Sequence, residues 1–80
     1  MKNAIREDRH IRSALEILKS TRFEAAQIVD NPEASRDTRL AWYFTHMGEI
    51  EMSWFLGLIN DVEMRELENE WKTHHPPAAP

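Results

Sequence analysis

Apolar residues recur at intervals of three and four along the first third of the chain. In the segment 3–29 they share one side of a helical wheel, opposite charged residues: Ala4, Ile11, Ala14, Leu15, Leu18, Ala25 and Val29. This spacing predicts an amphipathic α-helix with a single apolar stripe. Asp30, Asn31 and Pro32 end it, because proline disfavours helical geometry in the residue before it.

The second segment carries two helical patterns. We expect a helix over 32–56, with Asn31 as N-cap and Pro32 at the first helical position. Its main apolar stripe is Leu40, Tyr43, Phe44, Met47, Ile50, Trp54 and Leu58. Its second face holds Ala41, Thr45, Gly48, Met52 and Leu56. Small residues on that face would let another backbone approach closely, so this helix should be the central one.

A tight corner is predicted at 57–60. Gly57 suits the left-handed position that follows a helix, and Asn60 with Glu63 has the spacing of a capping box. A third helix over 61–72 follows, with a narrow apolar seam of Met64, Leu67 and Trp71. Residues 74–80 contain histidine, proline and alanine, and we expect them to form a disordered tail.

These patterns predict an all-α fold, a hairpin of two long helices plus a short third helix. Residues 1–73 should form one domain, since a chain of 80 residues rarely holds two cores. So small a core needs support, and without cysteine that support cannot be a disulfide. We therefore expect a homodimeric helical bundle. The residues expected to mediate self-association are Leu15, Leu18, Gly48, Met64, Leu67 and Trp71.

The composition of the chain argues against several classes of partner and of chemical site. The net charge of −4 disfavours a general nucleic-acid coat or an anionic membrane surface as partner. The longest apolar stretch, 53–59, is too short to span a bilayer, and the polar start has no signal-peptide segment behind it. Lack of cysteine excludes thiol nucleophiles and cysteine-based zinc sites. The expected location is the cytoplasm.

Charge is distributed unevenly along the chain. Residues 1–40 contain eight Lys and Arg against seven acids, whereas Arg65 and Lys72 face seven acids in 41–80. An acidic third helix cannot lie against phosphates as a recognition helix. The possible nucleic-acid contacts lie on one side of the first helix: Lys2, Arg6, Arg9 and Arg12. They support an alternative function, a nucleic-acid-associated transcriptional regulator.

Two pairs of residues have spacings that suit metal binding or acid–base chemistry. Glu7 and His10 have the Glu-x-x-His spacing of di-metal helical bundles, but one copy is weak, and an ion pair of Glu7 with Arg22 explains the sequence better. His46 and Glu49 lie one helical turn apart, where a carboxylate can orient an imidazole. Three short helices offer little concavity for catalysis. We expect no enzyme activity, metal or cofactor.

Aromatic residues favour binding to another protein. Three tryptophans are many for 80 residues, and aromatic side chains concentrate at interfaces. Trp54 and Trp71 fall on apolar stripes and should be core, whereas Trp42 lies opposite. The predicted partner-binding group is Trp42, His46, Glu49 and Ser53. The expected function is a non-enzymatic, homodimeric interaction module: a regulator, an inhibitor or an assembly adaptor.

Overall fold

Three α-helices make up the fold. The computed structural model describes residues 8–77, with side chains for 13–77, and contains α1 (Asp8–Val29), α2 (Arg36–Phe55) and α3 (Asp61–Lys72). The helix α2 returns antiparallel to α1, and α3 runs back along α2 until its Trp71 reaches Tyr43. The described residues contain no strand. The all-helical class predicted from periodicity is confirmed.

The core lies where the three helices meet. Its buried apolar residues are Ala14, Leu18, Ala25, Val29, Tyr43, Ile50, Ile59 and Trp71. Around them pack the partly buried Leu15, Ala26, Met47, Leu58, Met64 and Leu67. The predicted stripe of the first helix is therefore right from Ala14 onward, because an amphipathic helix buries its apolar side against its neighbours.

The connection between α1 and α2 corrects one prediction. Asn31 does not cap α2; its side chain accepts from the Glu33 amide, and its carbonyl accepts from the Ala34 amide. Asparagine first and proline second is the signature of a β-turn, which competes with helix initiation. Ser35 is the N-cap instead, and its hydroxyl accepts from the Thr38 amide at 3.1 Å.

The corner between α2 and α3 forms as predicted. Gly57 has φ of 78°, and its amide donates to the Trp54 carbonyl, while the Leu58 amide donates to the Ser53 carbonyl. These two hydrogen bonds form a Schellman motif, which satisfies the last carbonyls of the helix. The Asn60–Glu63 capping box is present with both reciprocal hydrogen bonds.

Trp71 is the central residue of the aromatic core. Its side chain is fully buried, and its indole Nε1 donates to the Tyr43 carbonyl at 2.8 Å. The indole stacks on the Tyr43 ring with centroids 5.8 Å apart and meets the edge of His46 at 4.6 Å. Since Tyr43 and His46 both belong to α2, this one side chain holds the C-terminal end of α3 against α2.

Residues 74–77 do not form the expected disordered tail. His74 stacks on Trp71 at 4.8 Å and places Nδ1 3.0 Å from Asp30 Oδ1, while His75 meets the edge of Tyr43 at 4.7 Å. Pro76 is buried. The sequence shows little apolar content here, but flat rings can pack on aromatic faces without it. Residues 78–80 lie outside the described part of the chain.

The buried side of α2 differs from its predicted stripe. Tyr43 and Ile50 are buried as expected, but the third buried residue is His46, a polar residue. Burial is therefore centred on Tyr43, His46 and Ile50, at positions i, i+3 and i+7. Phe44 and Trp54 were predicted to be core and are 58% and 41% exposed. The helix is rotated relative to the predicted stripe, so that Phe44 faces water and His46 is buried.

Candidate interaction surfaces

The His46–Glu49 pair exists but is part of the fold. Nδ1 of His46 donates to Glu49 Oε1 at 2.8 Å, and Thr21 Oγ1 lies 3.4 Å from the same nitrogen. The imidazole is 2% exposed and its edge rests on Trp71. A general base must reach the proton that it removes. This ring is enclosed by the helices, so the geometry indicates a structural role.

Trp42 lies at a small cavity on the surface, which we call the Trp42 cavity. It has a volume of about 50 Å³ and is lined by Thr21, Glu24, Ala25, Trp42, Thr45, His46 and Glu49. Trp42 is 42% exposed. The cavity therefore combines an accessible indole with the carboxylates of Glu24 and Glu49, a combination suited to a basic side chain.

The four predicted partner-binding residues do not share one surface. Trp42 and Glu49 are accessible together at the Trp42 cavity. His46 lies beneath them and has no surface to offer a partner, which corrects its assignment. Ser53 is half-buried, its hydroxyl donates to the Glu49 carbonyl at 2.9 Å, and it lines a groove between α1 and α2 instead.

The residues predicted for self-association are mostly used within one chain. Leu18 and Trp71 are 4% and 0% exposed, so neither can contact a second copy, and both assignments are corrected. Leu15, Met64 and Leu67 pack against the core and are half-buried. Gly48 alone of the six is exposed.

One whole side of α2 faces solvent and is apolar. This surface, which we call the α2 outer face, consists of Ala41, Phe44, Thr45, Gly48, Met52, Phe55 and Leu56, all exposed. Five of these residues form the second face predicted from the sequence. The only Asp, Glu, Lys or Arg residues in 41–56 are Glu49 and Glu51, one beside each edge of the α2 outer face. Large contiguous apolar patches on soluble proteins mark contact surfaces.

Two open grooves flank the α2 outer face. The groove toward α3 has a volume of about 520 Å³, and the groove toward α1 about 430 Å³. Gly48 and Met52 line both of them. Ile17 extends the apolar surface on the α1 side, and Met64 does so on the α3 side. Because Gly48 has no side chain, the ridge between the grooves is lowest there.

Two carboxyl groups meet in the groove toward α3, a contact that the spacing of residues along the chain does not predict. Glu68 of α3 hydrogen-bonds to Glu51 of α2. Burial raises the pKa of Glu68, the hydrogen bond and negative charge of Glu51 raise it further, and Lys72 lowers it. The buried Tyr43 also has a raised pKa, first through burial and then through the charge of Glu68. A side-chain pair between helices leaves no signal in the pattern of one helix.

Glu68→Gln is expected to stabilise the chain at neutral pH. The raised pKa means that the folded chain binds more protons than the unfolded chain, so wild-type stability falls as pH rises through that pKa. Glutamine removes the charge and keeps a hydrogen-bond donor for Glu51. The measurement is urea denaturation between about pH 4 and pH 8, a range that includes the ordinary carboxyl pKa of about 4.3. The free energy of unfolding of the variant should increase relative to that of wild type as pH rises.

Glu66→Gln is the matched control, because Glu66 is an exposed carboxylate of the same helix. It makes the same change in net charge without touching the Glu51–Glu68 pair. Equal pH profiles for the two variants would contradict the assignment of the effect to this pair.

Several predicted sites involve side chains outside the described ones. Lys2 and Arg6, and the side chains of Arg9 and Arg12, are among them, so the basic face stays a prediction. The same holds for the Glu7–His10 motif. Arg22, expected to pair with Glu7, places Nη1 3.1 Å from Glu70 Oε1, and its pairing with Glu7 stays a prediction. Among the side chains of 13–77, no group of three or more His, Asp or Glu is placed to hold a metal ion.

Two further observations complete this description. Within residues 8–77, none of the helices has an apolar stretch long enough to cross a membrane. No family model, curated protein or solved structure matches the chain.

Proposed function

We propose that this chain is a small, non-enzymatic interaction module that acts as a homodimer. The observation that carries the proposal is the number of large apolar side chains left in water by an otherwise complete core. In the described part of the chain these are Ile17, Phe23, Trp42, Phe44, Met52, Trp54, Phe55, Leu56 and Val62.

A poorly formed core does not account for this exposure. Val29 and Trp71 are fully buried, and Ile50 and Ile59 are 1% exposed, so the interior is closed. Scattered apolar residues are normal on a protein surface, but the largest contiguous apolar patch of a protein, typically about 300–600 Å², is often a functional contact site. Four of the exposed residues, Phe44, Met52, Phe55 and Leu56, lie together on the α2 outer face. Protein contact is the function that such a surface serves best.

Catalysis receives less support. The His46–Glu49 pair was the best candidate for acid–base chemistry, and its imidazole is enclosed between Trp71 and Thr21. A reacting group needs a concave site that admits a substrate. The two grooves beside α2 are open and mainly apolar, which favours docking of a protein surface over enclosure of a small molecule.

The Trp42 cavity is the proposed site for a second protein. Trp42→Ala should abolish capture of that partner while leaving helicity and self-association unchanged, because the indole is 42% exposed and lies off the α2 outer face. A buried interfacial tryptophan typically contributes about 2 kcal/mol or more to binding, which corresponds to a thirtyfold or larger loss of affinity. Affinity capture from the host, followed by mapping of cross-links to Glu24 and Glu49, measures this effect.

Phe23→Ala is the control, since Phe23 is 67% exposed on α1 and lines a different surface with Lys19 and Arg22. Its partners should match those of wild type. Unchanged capture by Trp42→Ala, or equal loss with Phe23→Ala, would contradict a specific role for the Trp42 cavity.

A further inference from the structure

We propose that the α2 outer face binds a second copy of this chain, with the two α2 helices antiparallel and crossing at Gly48. The inference rests on the proposed homodimer and specifies which surface forms it and in which register. It replaces the broader set of self-association residues with a single helix face.

Nothing in the fold of one chain requires a glycine at position 48. It lies in the middle of α2, where glycine is the least favourable residue after proline. A Cβ added at this position would meet no atom within 4 Å. Neither a tight turn nor internal packing therefore calls for glycine here. Close approach of another backbone from outside does, because a missing side chain lets two helices come together.

The residues around Gly48 are arranged for contact with their own copy. In an antiparallel pair with a two-fold axis at Gly48, each residue of one copy lies beside a residue of the other copy. The two residues are equally far from Gly48 along the sequence, in opposite directions. Ala41 of one copy then lies beside Phe55 of the other, and Phe44 lies beside Met52. A small side chain meets a large one, and an aromatic ring meets a flexible thioether, which fills irregular gaps. One such axis produces all of these contacts twice.

Three large side chains of the α2 outer face supply up to half of the area that a standard dimer interface takes from each partner. Phe44, Met52 and Phe55 are 58%, 56% and 78% exposed. Since a large aromatic side chain buries about 150–250 Å², these residues alone leave roughly 300–400 Å² of apolar surface in water. A standard interface takes about 800 Å² from each partner. The grooves beside α2, with Ile17 and Met64 on their walls, add further apolar surface on either side of these residues.

An antiparallel register makes a specific prediction for disulfide cross-linking. Helices packed about 8–10 Å apart bring facing Cα atoms to about 3.5–5.5 Å, which overlaps the range of a disulfide. The chain has no native cysteine, so an introduced one can react only as designed. Gly48→Cys should therefore form a covalent dimer efficiently under mild oxidation at micromolar concentration. The substitution is compatible with the fold because its Cβ meets nothing.

Ala41→Cys separates the antiparallel register from a parallel one. In the antiparallel pair the two copies of residue 41 are about 21 Å apart along the helix axis, so the single variant should not cross-link. The double variant Ala41→Cys with Phe55→Cys should cross-link between copies. A parallel pair would instead join Ala41→Cys to itself, and that result would overturn the proposal.

Sedimentation of the unmodified chain distinguishes failure of the register from failure of the dimer. We expect a mass twice that of one chain at micromolar concentration, and roughly tenfold or more weaker association for Gly48→Gln. Val62→Gln, at an exposed apolar position of α3 away from the α2 outer face, should associate like wild type. A wild-type dimer whose Gly48→Cys variant stays uncross-linked overturns the register alone. A wild-type monomer overturns both the register and the homodimer.

Discussion

Trp71→Ala is expected to lower the free energy of unfolding by about 3–5 kcal/mol, the usual cost of removing a buried tryptophan. Trp71 is fully buried between Tyr43, His46 and His74. Its loss would remove the stacking partner of two rings and the hydrogen bond that the Tyr43 carbonyl accepts from the indole. The single core of a chain of about 70–80 residues rarely supplies more than about 3–5 kcal/mol, so the variant should be largely unfolded near 37 °C.

Trp71→Phe separates the contribution of aromatic packing to stability from that of the hydrogen bond. Phenylalanine keeps an aromatic surface against Tyr43 and loses the Nε1 donor, so its cost should be smaller than that of alanine. Urea denaturation followed by circular dichroism at 222 nm, a wavelength that reports helix, measures all three proteins. A loss below about 1 kcal/mol for Trp71→Ala, the level typical of surface substitutions, would contradict the central position of this residue.

Ile50→Ala should cost about 2–5 kcal/mol, because Ile50 is 1% exposed at the contact of α2 with the other helices. Ile17→Ala is the matched control: the same atoms are removed from a side chain that is 61% exposed. Its cost should stay below about 1 kcal/mol. The difference between the two losses measures the effect of burial, because the helix propensities of isoleucine and alanine contribute equally to both.

Thermal or urea unfolding at low protein concentration measures this pair without a contribution from self-association. Comparable losses for the two variants would mean that Ile17 is as buried as Ile50 in solution. That result would contradict the orientation of α1 on α2.

Local chemistry explains which elements could be predicted from the sequence. The corner at Gly57 and the cap at Asn60 depend on hydrogen bonds between residues at most five apart, so both were predictable. The start of α2 was wrong because Asn31 can cap a helix or open a β-turn, and both uses are local. Ser35 is the N-cap, although Asn31 and Pro32 are residues that could begin the helix four positions earlier.

Contacts between distant residues explain most of what the sequence did not reveal. A helical wheel counts His46 as polar, and its burial follows only when Trp71 and Thr21 arrive from other helices. Trp54 was expected in the core, yet its indole donates to Asp61 at the surface. The α2 outer face was recognisable as a second contact face, because its small residues repeat at helical spacing. What covers that face cannot be derived from periodicity alone.

The packing of residues 71–76 on α2 and Asp30 also bears on how the chain folds during synthesis. His74 joins Asp30 across 44 residues of sequence, and Trp71 joins Tyr43 across 28. Contacts that close such long loops form late, after the local helices and hairpins. A nascent chain can pair α1 with α2 on the ribosome, but it leaves Tyr43 and His46 uncovered until Trp71 has been added. Chaperones would meet this intermediate with its aromatic interior still open.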